Sequence, residues 1–448
     1  MKKIVCMLCT ALFLNVSANC DSLSLNEAVE MLKSQNLEIK TATFEENAAK
    51  NKIKTASGAK WGKLEFIQDV AKSNDAGNVF GFKLTSREAT FNDFGFAEFG
   101  NIPMDQPIDG LNYPDDRTFF QSKLKYELPV FTGFQITSYE KIMKKMAHLK
   151  GLEKQKVVNE KIYELKKSFY DMALLDDSEK NLKVILKNIT TLENMTNEMI
   201  VEGYAKKTDL LEVQAKKANV QRLISQMENN KKLLYHYLSF LLNKKVVQIN
   251  LPQTHVAMCL STDEDILNSN VDIQRAKTGL DIRKNMVDVS KASFYPMVGA
   301  FAEIATADDT FLGDAGKHKA YTVGARLSWN IFNGGVDSAK VQEAKIERLK
   351  TATQVELAKK GIALKIAKIR TEIEGYDDDI TSLKKELDLT NEIYKNYESR
   401  YKEKLASMSD VIIKQSQQIE KILKLQQVQN KRNERIFALE KLSNGENK

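Results

Sequence analysis

The sequence predicts a mainly helical fold with a small membrane β part, built from two tandem repeats of helix, strand, strand and helix. Three observations support this prediction. Residues 321–330 alternate between apolar and polar side chains, which is the period of a strand. Between residues 362 and 401, apolar and aromatic positions recur at spacings of four and three, as in a coiled coil. Matching motifs recur 201 residues apart, which indicates a duplication.

The N-terminus is predicted to be a secretory signal peptide, residues 1–18. Lys2 and Lys3 precede a short apolar stretch, and Ala18 ends a small-residue cleavage motif. Of the 4 cysteines, only Cys20 and Cys259 follow the cleavage site, too few for a disulfide framework. Cys20 either carries a lipid or stays unmodified. The net charge of +7 is spread along the chain, and no nucleic-acid partner is expected for an exported protein.

The first repeat is predicted to span residues 19–243, with its strands within about 63–128. Its predicted elements are helices 24–36 and 37–60, strands 63–71 and 118–128, the long helix 132–202 and the return helix 208–243. Residues 79–84 are a possible extension of the first strand. Residues 85–117 contain four phenylalanines and three prolines, and form either a self-packed loop or a surface for a ligand or partner.

A connector, residues 244–263, leads to the second repeat, residues 264–443, whose strands lie within about 297–330. Its predicted elements are helix 271–294, strands 297–306 and 319–330, the long helix 334–404 and the return helix 409–442. A turn signal separates the last strand from the long helix in both repeats. The predicted strand-to-helix turn residues are Phe131, Gly133, Phe332, Gly334 and Gly335.

The strand count determines how the β part can close. No stretch after the signal peptide reaches the ~18 apolar residues of a membrane helix. Four strands per chain cannot close a membrane barrel, because the smallest have about 8. Several chains must therefore share a barrel, and three chains would supply 12 strands. Alternatively, the chain is an exported coiled-coil structural or adhesive protein without a pore.

Several motifs resemble the TolC-like outer-membrane efflux proteins. They are Tyr295-Pro296, the segment 329–335 (WNIFNGG), residues 203–211 and the duplication itself. The resemblance implies a homotrimer, with a 12-stranded β-barrel in outer-membrane lipid and a 12-helix coiled-coil α-barrel extending into the periplasm. It implies the exit duct of a tripartite efflux pump or a type I secretion system. The implied partners are a periplasmic membrane-fusion (adaptor) protein and an inner-membrane transporter of the RND or ABC type.

The resemblance also implies a periplasmic aperture lined by acids just after each helical turn. Asp410 matches one such position, and Asp209 and Glu212 are the equivalent residues of the first repeat. The family's second acid is Ile413 here, and its usual turn glycine is Lys404. The alternative role of Asp209 and Asp410 is that of helix N-caps. The candidate adaptor-docking tips, which could equally be solvated hairpin ends, are Gly203, Tyr204, Ala205, Leu405, Ala406 and Ser407.

Nothing in the sequence predicts catalysis. The four histidines show no metal-ligand spacing, and the chain has no phosphate loop, nucleophile elbow or zinc-protease motif. We therefore expect a protein that is not an enzyme and needs no cofactor or metal.

Overall fold

The computed structural model describes residues 22–253, 256–257, 261–311, 313 and 316–444. The predicted signal peptide, Cys20 and Cys259 lie outside these ranges. The helices are α1 (Leu25–Gln35), α2 (Leu37–Gly58), α3 (Ala76–Thr85), α4 (Asp109–Asn112), α5 (Gln135–Val201), α6 (Lys207–Leu241), α7 (Asp263–Ser269), α8 (Val271–Lys291), α9 (Val336–Lys402) and α10 (Met408–Leu442). The strands are β1 (Lys63–Ser73), β2 (Arg117–Thr132), β3 (Met297–Asp308) and β4 (Lys319–Ser328).

One compact unit is helical and comprises the described parts of residues 1–42, 154–272 and 359–448. It contains three separate apolar clusters. The cluster nearest the hairpin turns joins α5, α6, α9 and α10, and includes Ile189, Val213, Tyr394 and Tyr401. The other two join α1 to α5 and α6, and α7 to α9 and α10. None of the helices in the described part of the chain has the length and apolar character needed to cross a bilayer.

The other unit, residues 43–153 and 273–358, contains one antiparallel sheet with strand order β1-β2-β3-β4. Its register gives the two faces opposite characters. One cross-strand row consists of Phe66, Leu124, Ile304 and Tyr321, all exposed. The adjacent row, on the other face, consists of Glu65, Lys125, Glu303 and Thr322. The period-2 pattern of the sequence thus becomes a polar face and an apolar face, and the exposed row of apolar side chains is one that a soluble sheet would normally bury.

The possible extension of the first strand over residues 79–84 is wrong, because that segment lies in helix α3. Asp75 caps α3 by accepting a hydrogen bond from the backbone N–H of Asn78 at 3.0 Å. The cap satisfies an N–H group that has no partner within the helix, and this favours a helix over a continued strand.

Both long helices begin later than the turn signals suggested. In the first repeat β2 continues to Thr132 through an irregularity between Pro129 and Phe131, so α5 begins at Gln135. In the second repeat Gly334 and Gly335 have φ values of 69° and 83°, which right-handed helix does not allow, so α9 begins at Val336. The other ends differ from the sequence-based bounds by three residues or fewer.

Two buried asparagines at equivalent positions of the two repeats make equivalent contacts in the structure. The side-chain amide of Asn36 donates to the backbone oxygen of Leu241 at 2.8 Å, and that of Asn270 donates to Leu442 at 3.1 Å. In each case the asparagine lies between a short helix and a longer one, and the acceptor ends a return helix. Equivalent residues of the two repeats therefore make the same tertiary contact.

Candidate functional site: the two hairpin tips

The tips, defined as residues 202–212 and 403–413, have the same backbone geometry. Gly203 and Lys404 both have positive φ, 81° and 64° respectively. Each turn is closed by a backbone hydrogen bond that reaches back five residues, from Tyr204 to Met199 (2.7 Å) and from Leu405 to Arg400 (2.8 Å). This bond pattern is that of a helix ending on a left-handed residue. Lys404 therefore occupies, at a steric cost, the position that glycine fills in the first tip.

The structure places Asp209 and Asp410 in the first turn of their helices rather than at the N-caps. The caps are Lys206 and Ser407, and each acid reaches back to its cap residue. Asp209 Oδ2 accepts from the backbone N–H of Lys206 at 2.9 Å, and Asp410 Oδ2 accepts from that of Ser407 at 3.2 Å. The N-cap alternative is thus corrected to a capping box, in which the acid also interacts favourably with the helix dipole.

The electrostatic environment of Asp410 favours its charged form. The Ser407 hydroxyl donates to Asp410 Oδ2 at 2.6 Å. This bond, followed by the one from the Ser407 backbone, lowers the pKa of Asp410 below its usual value. Within one chain Asp410 is therefore ionised at neutral pH. Glu212 lies exposed on α6, and the equivalent residue of α10 is the half-exposed Ile413.

The candidate docking residues divide into two groups. Tyr204 and Leu405 are 61% and 64% exposed, and both project from a turn. Gly203 and Ser407 instead form the turn and the cap described above. Ala205 and Ala406 are half-buried. Apolar side chains that remain this exposed at the end of a rigid helix pair are available to a partner.

The two tips contact each other, which the sequence analysis did not predict. The Lys404 ammonium lies 3.0 Å from the centre of the Tyr204 ring, a cation–π contact between the repeats. In the helices that lead to the tips, the hydroxyl groups of Thr196 in α5 and Tyr401 in α9 are 3.5 Å apart. Burial raises the pKa of Tyr401, so this residue stays a neutral phenol. The sequence shows lysine in place of the turn glycine at residue 404, but it does not show that this lysine contacts Tyr204.

The strand-to-helix turns are built differently in the two repeats. A Cβ on Gly133 would lie 2.5 Å from the backbone oxygen of Ala292, so only glycine fits there. Phe131 packs edge-on against Phe134, which in turn packs on Tyr295. Phe332 is 84% exposed, and Gly334 and Gly335 have open space around them. The first turn is fixed by close packing, and the second by backbone conformation together with a hydrogen bond from the Asp337 backbone N–H to Asn333 Oδ1 at 3.4 Å.

Three side chains of types that can bind metals lie close together in the structure, although Glu88 is more than 200 residues from the other two in the sequence. Glu88, Asp308 and His318 each offer a ligand atom, and these atoms lie within 4.8 Å of one another. No spacing rule applies to them, because Glu88 lies in the first repeat and the other two in the second.

Comparison with known proteins identifies a family whose sequences resemble the second repeat of this chain. The family model described as "Outer membrane efflux protein" matches residues 264–445. Residues 264–445 are therefore similar to the outer membrane efflux protein family. The resemblance seen in the sequence is therefore confirmed, as is the predicted location in the outer membrane with an extension into the periplasm. The family consists of transport proteins rather than enzymes, as predicted.

Solved structures show that the efflux-protein fold covers almost the whole chain. CusC is 13% identical with a TM-score of 0.77, over 94% of this chain and 91% of that chain. The outer-membrane channel OprN is 16% identical with a TM-score of 0.77, over 94% and 90%. The outer membrane protein VceC from Vibrio cholerae is 14% identical with a TM-score of 0.76, over 94% and 96%. The comparison with curated proteins finds no match. The predicted fold class is thereby confirmed.

Proposed function

We propose that three copies of this chain form one exit duct, with a shared 12-stranded β-barrel in the outer membrane and a 12-helix α-barrel in the periplasm. The duct passively conducts small molecules or polypeptides delivered by a tripartite efflux pump or a type I secretion system. The observation that carries the proposal is the order of neighbours in the sheet-containing unit, which leaves matching strand and helix edges.

Ion pairs define the helix order of that unit. Lys150 of α5 pairs with Glu45 of α2 at 2.9 Å. Lys145 of α5 pairs with Asp281 of α8, also at 2.9 Å. Arg283 of α8 lies 3.9 Å from a carboxylate oxygen of α9. The order α2-α5-α8-α9 therefore follows the strand order β1-β2-β3-β4, with each helix continuing into its own strand.

This common order has two edges, and each edge contains one strand and one helix. β1 and α2 form the first edge, and β4 and α9 form the second. Within a bilayer an open strand edge is too costly, because its backbone groups find no water to bond. In the proposed trimer, β4 of one copy would pair with β1 of the next, and α9 of one copy would pack against α2 of the next. The same rotation between copies would therefore close both the β-barrel and the α-barrel.

Helix α9 has apolar residues on two opposite sides, as an interface helix requires. Val341 and Val355 are buried within the chain. Ile346, Leu349 and Leu357 are 59–70% exposed. At ~3.6 residues per turn, Ile346 and Leu357 lie on the side opposite the two valines, and Leu349 lies roughly 100° around the helix from them. A surface helix of a monomer normally has one apolar face only. The second face therefore supports burial against another copy.

The edge helix α2 offers a surface that suits this face. A groove of about 970 Å³ runs between α2 and α5, lined largely by apolar atoms. Small or flexible side chains such as Ala48, Ala59, Met143 and Met146 form its floor and walls. We infer that the exposed apolar face of α9 in one copy packs into this groove in the next.

The tips are proposed as the periplasmic end of the duct. Tyr204 and Leu405 are the exposed apolar residues that would contact the adaptor protein, with Ala205 and Ala406 beside them. Asp209, Glu212 and Asp410 would line the aperture, where acids from three copies favour cations. The inner-membrane transporter, of the RND or ABC type, would then select the substrate.

Cysteine pairs test how the copies meet. Ala48 lies about ten residues from the strand end of α2, and Ile346 lies about ten residues from the strand end of α9, or ~15 Å for each. In a background with Cys20 and Cys259 replaced by serine, Ala48→Cys/Ile346→Cys should yield covalent dimers and trimers on a non-reducing gel, and nothing larger. Each single variant is the control and should stay monomeric. A double variant without cross-links would contradict the proposed edge pairing.

A further inference from the structure

We propose that the segment between β1 and β2 is an interface between copies inside the outer mouth of the duct. The outer mouth is the end of the sheet away from α2 and α5, where this segment joins the two strands. There α3 would meet α3 of the other two copies at the three-fold axis, through the face that contains Gly77, Gly81 and Leu84. This inference rests on the shared barrel of the proposed function.

The segment packs on itself as a small folded unit. Phe80 of α3 packs edge-on against Phe94, with the ring centres 5.0 Å apart. Lys83 of α3 pairs with Asp93, and α4 also contacts α3. These contacts join α3 to the residues that follow it, so the segment holds α3 in a defined position.

Helix α3 lies on the polar face of the sheet. The ring of Phe82 stacks on that of Phe119, with the centres 4.1 Å apart and the planes at 10°. Phe119 lies on the same face of β2 as Lys125, because successive side chains alternate and the register between them is continuous. Arg117, which shares this face, pairs with Glu88 just after α3. Two contacts therefore hold the segment over the face that would line the interior.

Burial at this end of the sheet agrees with that position. Phe119 is 6% exposed, and Ala307 of β3, which is paired with Gln121 on the polar face, is 3% exposed. Helix α3 contacts β3, and its Val79 is buried. On the apolar face of the same end, Val70 is 61% exposed. The segment thus folds toward the interior of the proposed barrel and leaves Val70 for lipid.

The opposite side of α3 is open and contains small residues. At ~100° per residue, Val79 lies roughly 160° around the helix from both Gly77 and Gly81. A Cβ on Gly81 would meet nothing within 4 Å, and Leu84, on the same side, is half-exposed. Glycines four residues apart let helices approach closely, as at helix interfaces in membranes. The face of α3 that lies away from the sheet, and so toward the axis, therefore suits a second copy of itself.

The size of the proposed barrel allows three copies of α3 to meet. A ring of 12 strands spaced ~4.8 Å apart and tilted by ~40° has a backbone diameter of roughly 24 Å. Three touching helices, each about 10–12 Å wide, fill a circle of roughly 22–26 Å. One α3 from each copy would therefore nearly fill the outer mouth and narrow it.

Single cysteines test this interface, because a residue cross-links to the same residue of another copy only where it lies near the symmetry axis. In a background with Cys20 and Cys259 replaced by serine, oxidation of outer membranes should convert Leu84→Cys and Gly81→Cys into covalent dimers. Lys72→Cys is the matched control, near the same end of β1 but on the apolar face. Its dimer fraction should be roughly tenfold lower, because a disulfide needs Cβ atoms about 4 Å apart.

A conductance measurement tests the narrowing of the mouth. Phe82→Ala removes the ring that holds α3 against Phe119, so the single-channel conductance in planar bilayers should rise. Phe91→Ala is the matched control, because it removes a ring of the same segment that is 77% exposed. It should leave the conductance unchanged. Equal conductance of Phe82→Ala and the parent protein would contradict a mouth narrowed by α3.

The edge-pairing variant Ala48→Cys/Ile346→Cys separates this inference from the proposed function. If that variant forms covalent trimers while Leu84→Cys and Gly81→Cys stay monomeric, the shared duct stands and the α3 interface is overturned. If none of these variants cross-links, the shared duct fails and the α3 interface fails with it. Leu84→Cys dimers no more abundant than those of Lys72→Cys would also overturn the interface.

Discussion

At the scale of single residues, the two tips perform the same backbone task with different chemistry. Gly203 adopts positive φ without steric cost, and Lys404 adopts it despite its side chain. In exchange, the Lys404 ammonium reaches the Tyr204 ring across the repeats. The residue that departs from the family pattern is therefore the one that connects the two tips.

The tip acids give a functional prediction at this scale. Replacing both carboxylates by amides in Asp209→Asn/Asp410→Asn removes negative charge and retains the capping acceptor. We expect cation-selective currents from the wild-type complex in planar bilayers, and a several-fold lower cation-to-anion permeability ratio from the variant. Reversal potentials in a salt gradient measure this ratio. An unchanged permeability ratio would contradict the proposal that these acids line the aperture.

Gly133 gives a stability prediction. Alanine there would combine a positive φ of 60° with a Cβ 2.5 Å from the Ala292 oxygen. We expect Gly133→Ala to reduce the free energy of unfolding by about 1–3 kcal/mol. The matched control is Gly375→Ala in α9, where a Cβ meets nothing within 4 Å. That variant should be more stable by about 0.5–1 kcal/mol, because alanine favours helix. Denaturant titrations compare the two, and equal effects would contradict the explanation.

At the scale of elements, local periodicity predicted most of the fold, whereas contacts between distant segments could not be predicted. The alternation in residues 321–330 and the four–three spacing in α9 each depend on near neighbours, and both elements form. Residues 79–84 were misjudged because their apolar run suits a strand or a helix, and the deciding cap, Asp75, lies outside the run. The contacts of Lys404 and of His318 depend on tertiary structure, which no local pattern encodes.

Glu140 of α5 gives a pH-dependence prediction, because it pairs with Lys144 of the same helix and with Lys60, which follows α2. Lys144 first and Lys60 second hold the pKa of Glu140 at about 2. An unfolded glutamate has a pKa of about 4.3. The ion pairs therefore stabilise the fold fully above that value, and the contribution disappears as the pH falls from about 5 to 2. Glu140→Gln should melt below wild type at pH 6 and close to wild type near pH 2. A difference in Tm that stays constant with pH would contradict this account.

At the scale of the whole molecule, the proposed assembly would have two kinds of ring. Each repeat contributes two strands and two helix positions in the same order, so a rotation that pairs the strand edges also pairs the helix edges. In that assembly the sheet's apolar face would meet lipid and its polar face would line the interior. The sequence predicted the number of strands, and the structure supplies the surfaces by which the copies would meet.

The mass of the complex extracted in detergent from outer membranes tests the central claim most directly. We predict a protein mass of three mature chains for the wild type. Leu349→Glu places a charge on the exposed apolar face of α9, and should shift the mass toward one chain. Met104→Glu, the same change at a residue 98% exposed outside the helices, should leave the trimer intact. A wild-type protein recovered as a monomer or dimer, without need of detergent, would contradict the shared duct.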